Sequence, residues 1–234
     1  MNAAIDHFTT RGLSYLYRRF NVDHRRHRTL EIVYERASQE SADFILNNLG
    51  TAVLFEHRTD YWSFVADSLL SKGILMECGV FQGLSLKFIA NRLRRKRDAR
   101  IIHGFDAFEG LEEHWAGESL PAGSFDLKGK LPTIPANAQL HVGWVQDTVV
   151  PFLEKNIVDR VALLHIDTDT YTPAKYLLKV VKPYLKSGSI VAFDELFGYP
   201  NWQSHEFKAL QEEILLDDYE FIAFTSRQAA IRIR

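Results

Sequence analysis

The chain has 234 residues, of which 46% are hydrophobic and 25% are charged, a composition that fits one globular domain. The formal net charge of -2 at pH 7 gives no global attraction for nucleic acid or an anionic membrane. No apolar leader follows Met1, and no run approaches the roughly 18 apolar residues of a membrane span. We therefore expect a cytoplasmic protein with no nucleic-acid or membrane partner. The single cysteine, Cys78, excludes an internal disulfide framework.

The N-terminal part of the chain is predicted to be helical and carries no catalytic motif. Apolar spacing favours helices near residues 4–20, 29–49 and 60–70. Residues 18–19 and 24–28 are basic, and this patch is either a solvated surface or a contact for an acidic substrate, a phosphate or an oligomer partner. We predict a helical extension or lid over residues 1–58 and the main domain over residues 59–234.

A glycine-containing loop follows the first long apolar strand, predicted over residues 74–78. Gly79 and Gly83 let the backbone approach a ligand closely, and Glu77 can accept a hydrogen bond from a cationic or hydroxyl group. Phe81 stands where the second glycine of G-x-G-x-x-G would be. The bulk of that side chain disfavours the pyrophosphate approach of NAD enzymes.

The next predicted strand, residues 101–105, ends at Asp106, which is 29 residues beyond Glu77. An acidic side chain at such a strand end binds ribose hydroxyls in nucleoside-binding α/β folds. Residues 115–135 form a long connection of the kind that often serves as a lid. After a third strand at residues 139–142, Gln146 and Asp147 are candidates to contact an adenine edge, and Trp144 is either a stacking surface or core.

Acidic side chains end both strands of a predicted strand, helix, strand unit over residues 161–195. Asp167 and Asp169 follow the first strand, and Asp194 and Glu195 follow the second. A crossover helix makes the two strands parallel, so these ends lie at one edge, about 5 Å apart. Crowded carboxylates favour a magnesium, manganese or calcium ion. The alternative is that Asp167 and Asp194 cap loops or pair with Arg or Lys.

The order of these elements predicts an α/β fold, a Rossmann-like doubly wound sheet of about seven strands with an N-terminal helical extension. Thr172 and Pro173 predict the N-cap and first turn of the crossover helix, Pro183 its end, and Gly188 the turn into the following strand. Residues 219–224 and 229–233 are predicted to form a closing hairpin whose last strand is antiparallel.

Taken together, the motifs resemble the class I S-adenosylmethionine-dependent methyltransferases, and specifically the metal-dependent O-methyltransferases similar to macrocin O-methyltransferase. The resemblance covers about residues 60–210 and depends on residues 77–85, 104–111, 143–148, 165–171 and 193–195. The chain departs from the family at Val149-Val150-Pro151, where a Leu-Pro usually follows the threonine.

What the resemblance implies for S-adenosylmethionine is a set of contacts along its length: Glu77, Gly79, Phe81 and Gly83 at the methionine end, Ser85 at its carboxylate, Asp106 at the ribose, and Gln146 with Asp147 at the adenine. It also implies a catalytic magnesium ion held by Asp167, Asp194 and Glu195. Asp169 is then the candidate general base, and the deeper His165 a hydrogen-bonded core residue. Since an ordinary aspartate pKa is about 4, we expect this base to depend on a metal that lowers the hydroxyl pKa.

The expected function is magnesium-dependent transfer of a methyl group to a hydroxyl of a sugar, a glycoside or another small-molecule natural product, by a homo-oligomer. A phenolic or catechol-like acceptor, an NAD-linked oxidoreductase and a non-catalytic interaction protein on the same fold stay open as alternatives. We expect the acceptor pocket between residues 115–135, residues 199–202 and the N-terminal helices.

Overall fold

Helices and strands alternate along residues 24–156 and 158–234, the part of the chain that the computed structural model describes. The α-helices in this part are α1 (His24–Asn48), α2 (Arg58–Asp67), α3 (Leu84–Arg95), α4 (Val145–Lys155), α5 (Tyr171–Val181) and α6 (Glu206–Glu213). The strands are β1 (Val53–Leu54), β2 (Ile74–Cys78), β3 (Ile102–Asp106), β4 (Ala138–Val142), β5 (Val161–Ile166), β6 (Leu185–Phe193), β7 (Tyr219–Phe224) and β8 (Ala229–Ile233). The helix predicted at residues 4–20 lies outside the described residues.

One sheet contains all of these strands, in the order β1-β7-β8-β6-β5-β2-β3-β4. Every pair is parallel except those of β8, which runs antiparallel to β6 and β7. The doubly wound fold with an antiparallel last strand is therefore confirmed. The two-residue β1 brings the described sheet to eight strands, one more than expected.

Both faces of the sheet are covered, which explains the continuous apolar runs of its central strands. Met76 and Cys78 face a core shared with α4, α5 and α6, whereas Leu75 faces a second core with α2 and α3. All six residues of β5 are buried. Burial raises the pKa of the Cys78 thiol well above its ordinary value, so this cysteine is an inert core residue.

The α5 region departs from prediction in detail. The helix begins at Tyr171 after Thr170, so the prediction of Thr172 as N-cap is wrong. The Thr172 backbone N–H and hydroxyl instead donate to the Glu113 carboxylate at 2.9 and 3.0 Å. Pro183 ends the helix in a short 3₁₀ turn, as predicted, whereas Gly188 lies inside β6 and not before it.

Helix α1 packs against the domain through a ring cluster centred on Phe44, and its Tyr34 hydroxyl donates to Glu118 at 3.1 Å. The Ser41 hydroxyl accepts a 2.9 Å hydrogen bond from the backbone N–H of Gly198. Apolar spacing along this helix would place Ile32 on the same face as Ala37, but Ala37 is buried whereas Ile32 is 41% exposed. No helix among residues 24–156 and 158–234 is long and apolar enough to cross a membrane. The rings around Phe44 are those of Phe197, Trp202, Phe207 and Phe221.

Candidate active site

A cavity of about 410 Å³ lies beyond the carboxyl ends of β2, β3, β5 and β6. Ligands of open α/β sheets bind at such an edge. Eight of the twelve predicted site residues line it: Gly79, Phe81, Ser85, Asp106, Asp167, Asp169, Asp194 and Glu195. The other four do not line it: Glu77, Gly83, Gln146 and Asp147.

Gly79 brings the glycine loop against the acidic loop that follows β5. Its φ is +86°, and a Cβ at this position would lie 1.7 Å from the backbone oxygen of Asp167. The Asp167 N–H donates to the carbonyl of Cys78 at 2.8 Å. Only glycine permits this contact, which fixes the two loops side by side.

Asp106 holds the glycine loop in place through its carboxylate. One oxygen accepts from the backbone N–H groups of Val80 and Phe81, both at 2.7 Å, and the other accepts from Phe108 at 2.6 Å. A carboxylate has about four acceptor positions, so these bonds leave room for a ribose hydroxyl. The sequence predicted a ligand contact for Asp106 but did not reveal that its carboxylate also holds the glycine loop in place.

Glu77 lies behind the cavity and contacts the protein interior. It is fully buried, its Oε1 accepts from the Ser85 hydroxyl at 3.0 Å, and its Oε2 lies 2.9 Å from His165 Nδ1. Burial raises the pKa of Glu77, although the hydrogen bonds from His165 and Ser85 oppose that rise. The structure therefore does not bring Glu77 to the predicted position along the methionine end.

His165 links Glu77 to the acidic loops. Its Nε2 lies 3.8 Å from Asp194 Oδ1, and its ring is 1% exposed. Burial lowers the pKa of His165, but the carboxylates of Asp194 and Glu77 outweigh it and raise the pKa well above its ordinary value. The expectation of a hydrogen-bonded core histidine agrees with this position.

The acidic loops form two overlapping groups that share Asp167. In each group, one ligand atom of every member lies within 4.8 Å of those of the other members. Burial and neighbouring carboxylates raise the pKa values of Asp167 and Glu195 well above the ordinary range. Within the described residues, no Lys or Arg forms an ion pair with either of them. The two groups are His165, Asp167 and Asp194, and Asp167, Asp169 and Glu195.

Asp169 is buried at 8% exposure and has an unusual backbone conformation, with φ at +63°. Burial raises the pKa of its carboxyl to about 7, with Asp194 adding to the rise and a hydrogen bond with Glu195 opposing it. The expectation of an ordinary pKa near 4 is therefore wrong. Burial, which sequence does not report for a loop residue, is the reason.

The adenine end was predicted at Gln146 and Asp147, neither of which lines the cavity. The side chain of Gln146 donates to Glu112 at 2.7 Å, and Asp147 is exposed on the first turn of α4. Trp144 and Val145, the two residues before them, line the cavity. Gly83 serves as the left-handed residue before α3, with φ at +72°.

The connection after β3 forms the expected lid through Trp115 and Phe125. The Phe125 ring lies 5.3 Å from that of Phe81, and both side chains remain about two-fifths exposed. The predicted wall at residues 199–202 is wrong, because Tyr199 and Trp202 are buried and do not line the cavity. That loop supports the lid from behind, since a Cβ on Gly117 would lie 1.8 Å from the Pro200 oxygen.

Sequence reasoning missed three kinds of site residue. Arg58 and Trp62 of α2 line the cavity, with the guanidinium 5.3 Å from the indole centroid, and Arg58 is the one cationic side chain among the described lining residues. The helix was predicted near residues 60–70, so Trp62 fell on it, whereas Arg58 lies before its predicted start and is the first residue of the observed helix. Gln228 donates to Asp194, and Glu206 accepts from the Asp169 loop, with no comparable signal in sequence.

Comparison with known proteins places this site in a family. The profile of the methyltransferase domain family matches residues 76–196. The crystal structure of CalS11, a calicheamicin methyltransferase, is 26% identical, with 90% of this chain and 93% of that chain covered and a TM-score of 0.66. No curated protein matches the chain.

Two further solved structures share the fold. The apo structure of CalS11, a TDP-rhamnose 3'-O-methyltransferase in calicheamicin biosynthesis, is 27% identical over 86% of this chain and 93% of that chain, with a TM-score of 0.57. The O-methyltransferase NovP is 20% identical over 75% and 79%, with a TM-score of 0.55. The family match covers more than half of the sequence and includes the glycine loop, Asp106 and the acidic loops. The chain therefore belongs to the methyltransferase domain family and is a class I S-adenosylmethionine-dependent methyltransferase.

Proposed function

We propose that the chain transfers the methyl group of S-adenosylmethionine to a hydroxyl oxygen of a sugar, a glycoside or another small-molecule natural product, in a reaction that requires magnesium. The observation that carries the proposal is the cavity itself, which has the glycine loop and Asp106 on one side and Asp167, Asp169, Asp194 and Glu195 on the other. A methyl donor and a chelated hydroxyl can thus meet between two chemically different walls.

The glycine-loop side suits the methyl donor. Asp106 faces the cavity with acceptor capacity for a ribose hydroxyl, and Gly79 keeps the backbone free of a side chain beside it. Trp144 and Val145 offer an apolar surface for the adenine beyond Asp106. Ser85 and Arg58, which line the same cavity, offer a hydroxyl and a positive charge to the methionine end.

The acidic side fits a hard divalent cation. Asp167, Asp194 and Glu195 would hold it, since each belongs to one of the two converging groups. Buried Oε2 of Glu195 and buried Oγ1 of Thr168 have no hydrogen-bond partner in the described residues. Oxygen ligands select magnesium, manganese or calcium. When bound, the ion would lower the pKa of an acceptor hydroxyl and fix its position.

Asp169 is the proposed general base. Its buried carboxylate lies beside the proposed metal ligands, where it can take the proton of a hydroxyl whose pKa the bound ion lowers. It takes the hydroxyl proton as the acceptor oxygen attacks the methyl carbon and the carbon–sulfur bond breaks. The buried setting of Asp169 keeps water from competing for that methyl group.

Aromatic rings in the cavity wall support an acceptor with a ring. Trp62, Trp115, Phe81 and Phe125 line the cavity, and their faces suit the apolar faces of sugar rings. CalS11, whose substrate is a TDP-linked sugar, supports the sugar class. The same rings would stack on a phenol, so a phenolic or catechol-like acceptor is the second candidate. We further propose that the protein forms a homo-oligomer in the cytoplasm and binds neither nucleic acid nor membrane.

A screen of acceptors with radiolabelled methyl donor tests the function. Free sugars, nucleoside-diphosphate sugars, glycosides and catechols would each be incubated with the protein in EDTA and then in excess magnesium. We expect label to enter a hydroxyl of one sugar-containing class in magnesium alone. Label on nitrogen or carbon, or equal turnover in EDTA, would contradict the proposal.

A further inference from the structure

Glu206, the first residue of α6, lies directly under the turn that carries Asp169. Its side chain is fully buried. Oε1 accepts from the backbone N–H of Asp169 at 3.2 Å and from that of Thr168 at 3.4 Å. In the described residues these two N–H groups have no other acceptor, and Oε2 of Glu206 has no hydrogen-bond partner.

The turn above Glu206 is strained and tight. Asp169 adopts a left-handed φ of +63°, and the Thr170 N–H closes back on the carbonyl of Thr168 at 2.6 Å. Aspartate tolerates this conformation better than most residues, but it still costs free energy that local contacts must offset. The buried N–H of Asp169 and the part-buried N–H of Thr168 both point at one carboxylate oxygen, which offers such a contact, because each would otherwise have no acceptor in the described residues.

The position of Glu206 is itself fixed by packing. Its neighbour Phe207 lies against Trp202 and Phe44, with ring centroids 4.7 and 5.1 Å away. The His205 ring lies at 2.7 Å from the carbonyl of Ala116, which ties the start of α6 to the lid. Helix α6 therefore presents a rigid acceptor to the acidic loop.

A buried carboxyl group at this position costs free energy, which a side chain that only filled space would not require. Burial raises the pKa of Glu206 well above its ordinary value, and the charges of Asp169 and Asp194 add to that rise. Glu206 also lies outside both groups of converging ligand atoms in the described chain, so a metal-ligand role does not account for it. The contact with the Asp169 turn is the remaining explanation for a glutamate at this position.

We propose that Glu206 is a positioning residue, whose Oε1 holds the N–H groups of residues 168 and 169 so that the Asp169 carboxylate faces the acceptor hydroxyl. The inference rests on the proposed function, in which Asp169 is the base. Without this acceptor the turn relaxes and the base moves away from the acceptor. A displacement of about 1 Å at a reacting group can cost about 10²-fold in rate.

Three substitutions test whether the reach of the acceptor oxygen matters. Glu206→Gln keeps an oxygen at the same reach, so we expect kcat to stay within about threefold of wild type, because a neutral acceptor can still hold both N–H groups. Glu206→Asp keeps the carboxyl group but withdraws it by about 1.5 Å, one carbon–carbon bond, and should lower kcat by about 10²-fold. Glu206→Leu should lower it at least as far.

The Michaelis constant of the acceptor and the dissociation constant of S-adenosylmethionine, measured by calorimetry, should change by less than about twofold in each variant, since only the base is displaced. Glu212→Leu is the matched control, because Glu212 lies on the same helix and pairs with Lys175 and Tyr171 outside the cavity. That control should keep wild-type kcat.

The order of the Gln and Asp variants decides the inference even if Glu206→Leu does not fold. Higher kcat in Glu206→Gln than in Glu206→Asp supports positioning. The reverse order, wild-type kcat in Glu206→Asp, or a loss of cofactor affinity equal to the loss of kcat would overturn it. Asp169→Asn is assayed in parallel, and full activity in that variant would instead contradict the proposed function.

Discussion

The two walls of the cavity differ in how completely they satisfy their own polar groups. On the glycine-loop wall, the Asp106 carboxylate accepts three short backbone hydrogen bonds, and the loop conformation is complete without a ligand. On the acidic wall, Asp167 and Glu195 have strongly raised pKa values, and buried oxygens of Glu195 and Thr168 have no partner in the described chain. One wall thus satisfies its own polar groups, whereas the other leaves crowded carboxylates and buried oxygens without partners.

Metal removal should produce the largest effect, because it acts on the acidic wall alone. In excess EDTA we expect turnover to fall by about 10⁴-fold or more, since a bound ion supplies several kcal/mol of charge stabilisation, and magnesium should restore it. Labelled-methyl transfer measures this loss. Asp194→Asn should lose turnover even in magnesium. A wild-type rate in Asp194→Asn would show that this carboxylate has a structural role and does not hold a catalytic ion.

Asp169→Asn should lower kcat by about 10² to 10⁴ while the affinity for S-adenosylmethionine stays nearly unchanged, because the substitution removes a base and leaves the opposite wall intact. Steady-state kinetics with calorimetry separates the two quantities. His165→Gln, which changes a buried residue behind the cavity, is the comparison variant. Normal kcat in Asp169→Asn together with a large loss in a folded His165→Gln would assign the base to His165.

Asp106→Ala should lower cofactor affinity and thermal stability, in contrast to Asp169→Asn, which should lower kcat. We expect cofactor affinity to weaken by roughly 1 to 3 kcal/mol, as charge-assisted bonds to the ribose and to the loop N–H groups are lost, and the melting temperature to fall as well. Asp98→Ala is the matched control, because Asp98 also accepts a backbone N–H, from Arg100, but lies away from the cavity. Equal cofactor affinity in the two variants would remove Asp106 from the binding site.

A smaller effect should appear in the pH dependence of stability without metal. The pKa of Asp169 rises from 3.8 unfolded to about 7 folded, so the unfolded state binds fewer protons between these values. Stability from this group is therefore present at low pH and is lost as pH rises through about 7. In EDTA at pH 8, Asp169→Asn should melt above wild type by about 2 to 4 °C, the equivalent of about 1 kcal/mol. A difference of equal size at pH 5 would contradict this assignment.

Much of this architecture could be predicted because it depends on local pattern. The runs of β5 and β6 are apolar since both faces of the sheet are covered, and parallel strands bring Asp167 and Asp194 to one edge. The closing hairpin was placed at its observed bounds for the same reason. A charged residue that directly follows an apolar strand can therefore be placed at the ligand-binding edge of the sheet from sequence alone.

The remaining features depend on tertiary placement. In the sequence, Glu206 resembles any acidic residue in the first turn of a helix. Its position under Asp169 results from the packing of α6, which the sequence does not indicate. Gln146 was assigned from a motif, but its side chain turns to Glu112 because the lid folds over that side. The raised pKa of Asp169 could not be predicted from sequence, since it follows from burial and from the charges of Asp194 and Asp106.

Calorimetry of S-adenosylmethionine and of NAD with the metal-free protein tests the central claim most directly. The glycine-loop wall predicts micromolar binding of S-adenosylmethionine in EDTA, little changed in Asp194→Asn and weakened in Asp106→Ala. NAD should give no heat, because Phe81 occupies the approach that a pyrophosphate needs. Binding of NAD without binding of S-adenosylmethionine, or S-adenosylmethionine binding that needs magnesium, would contradict the account.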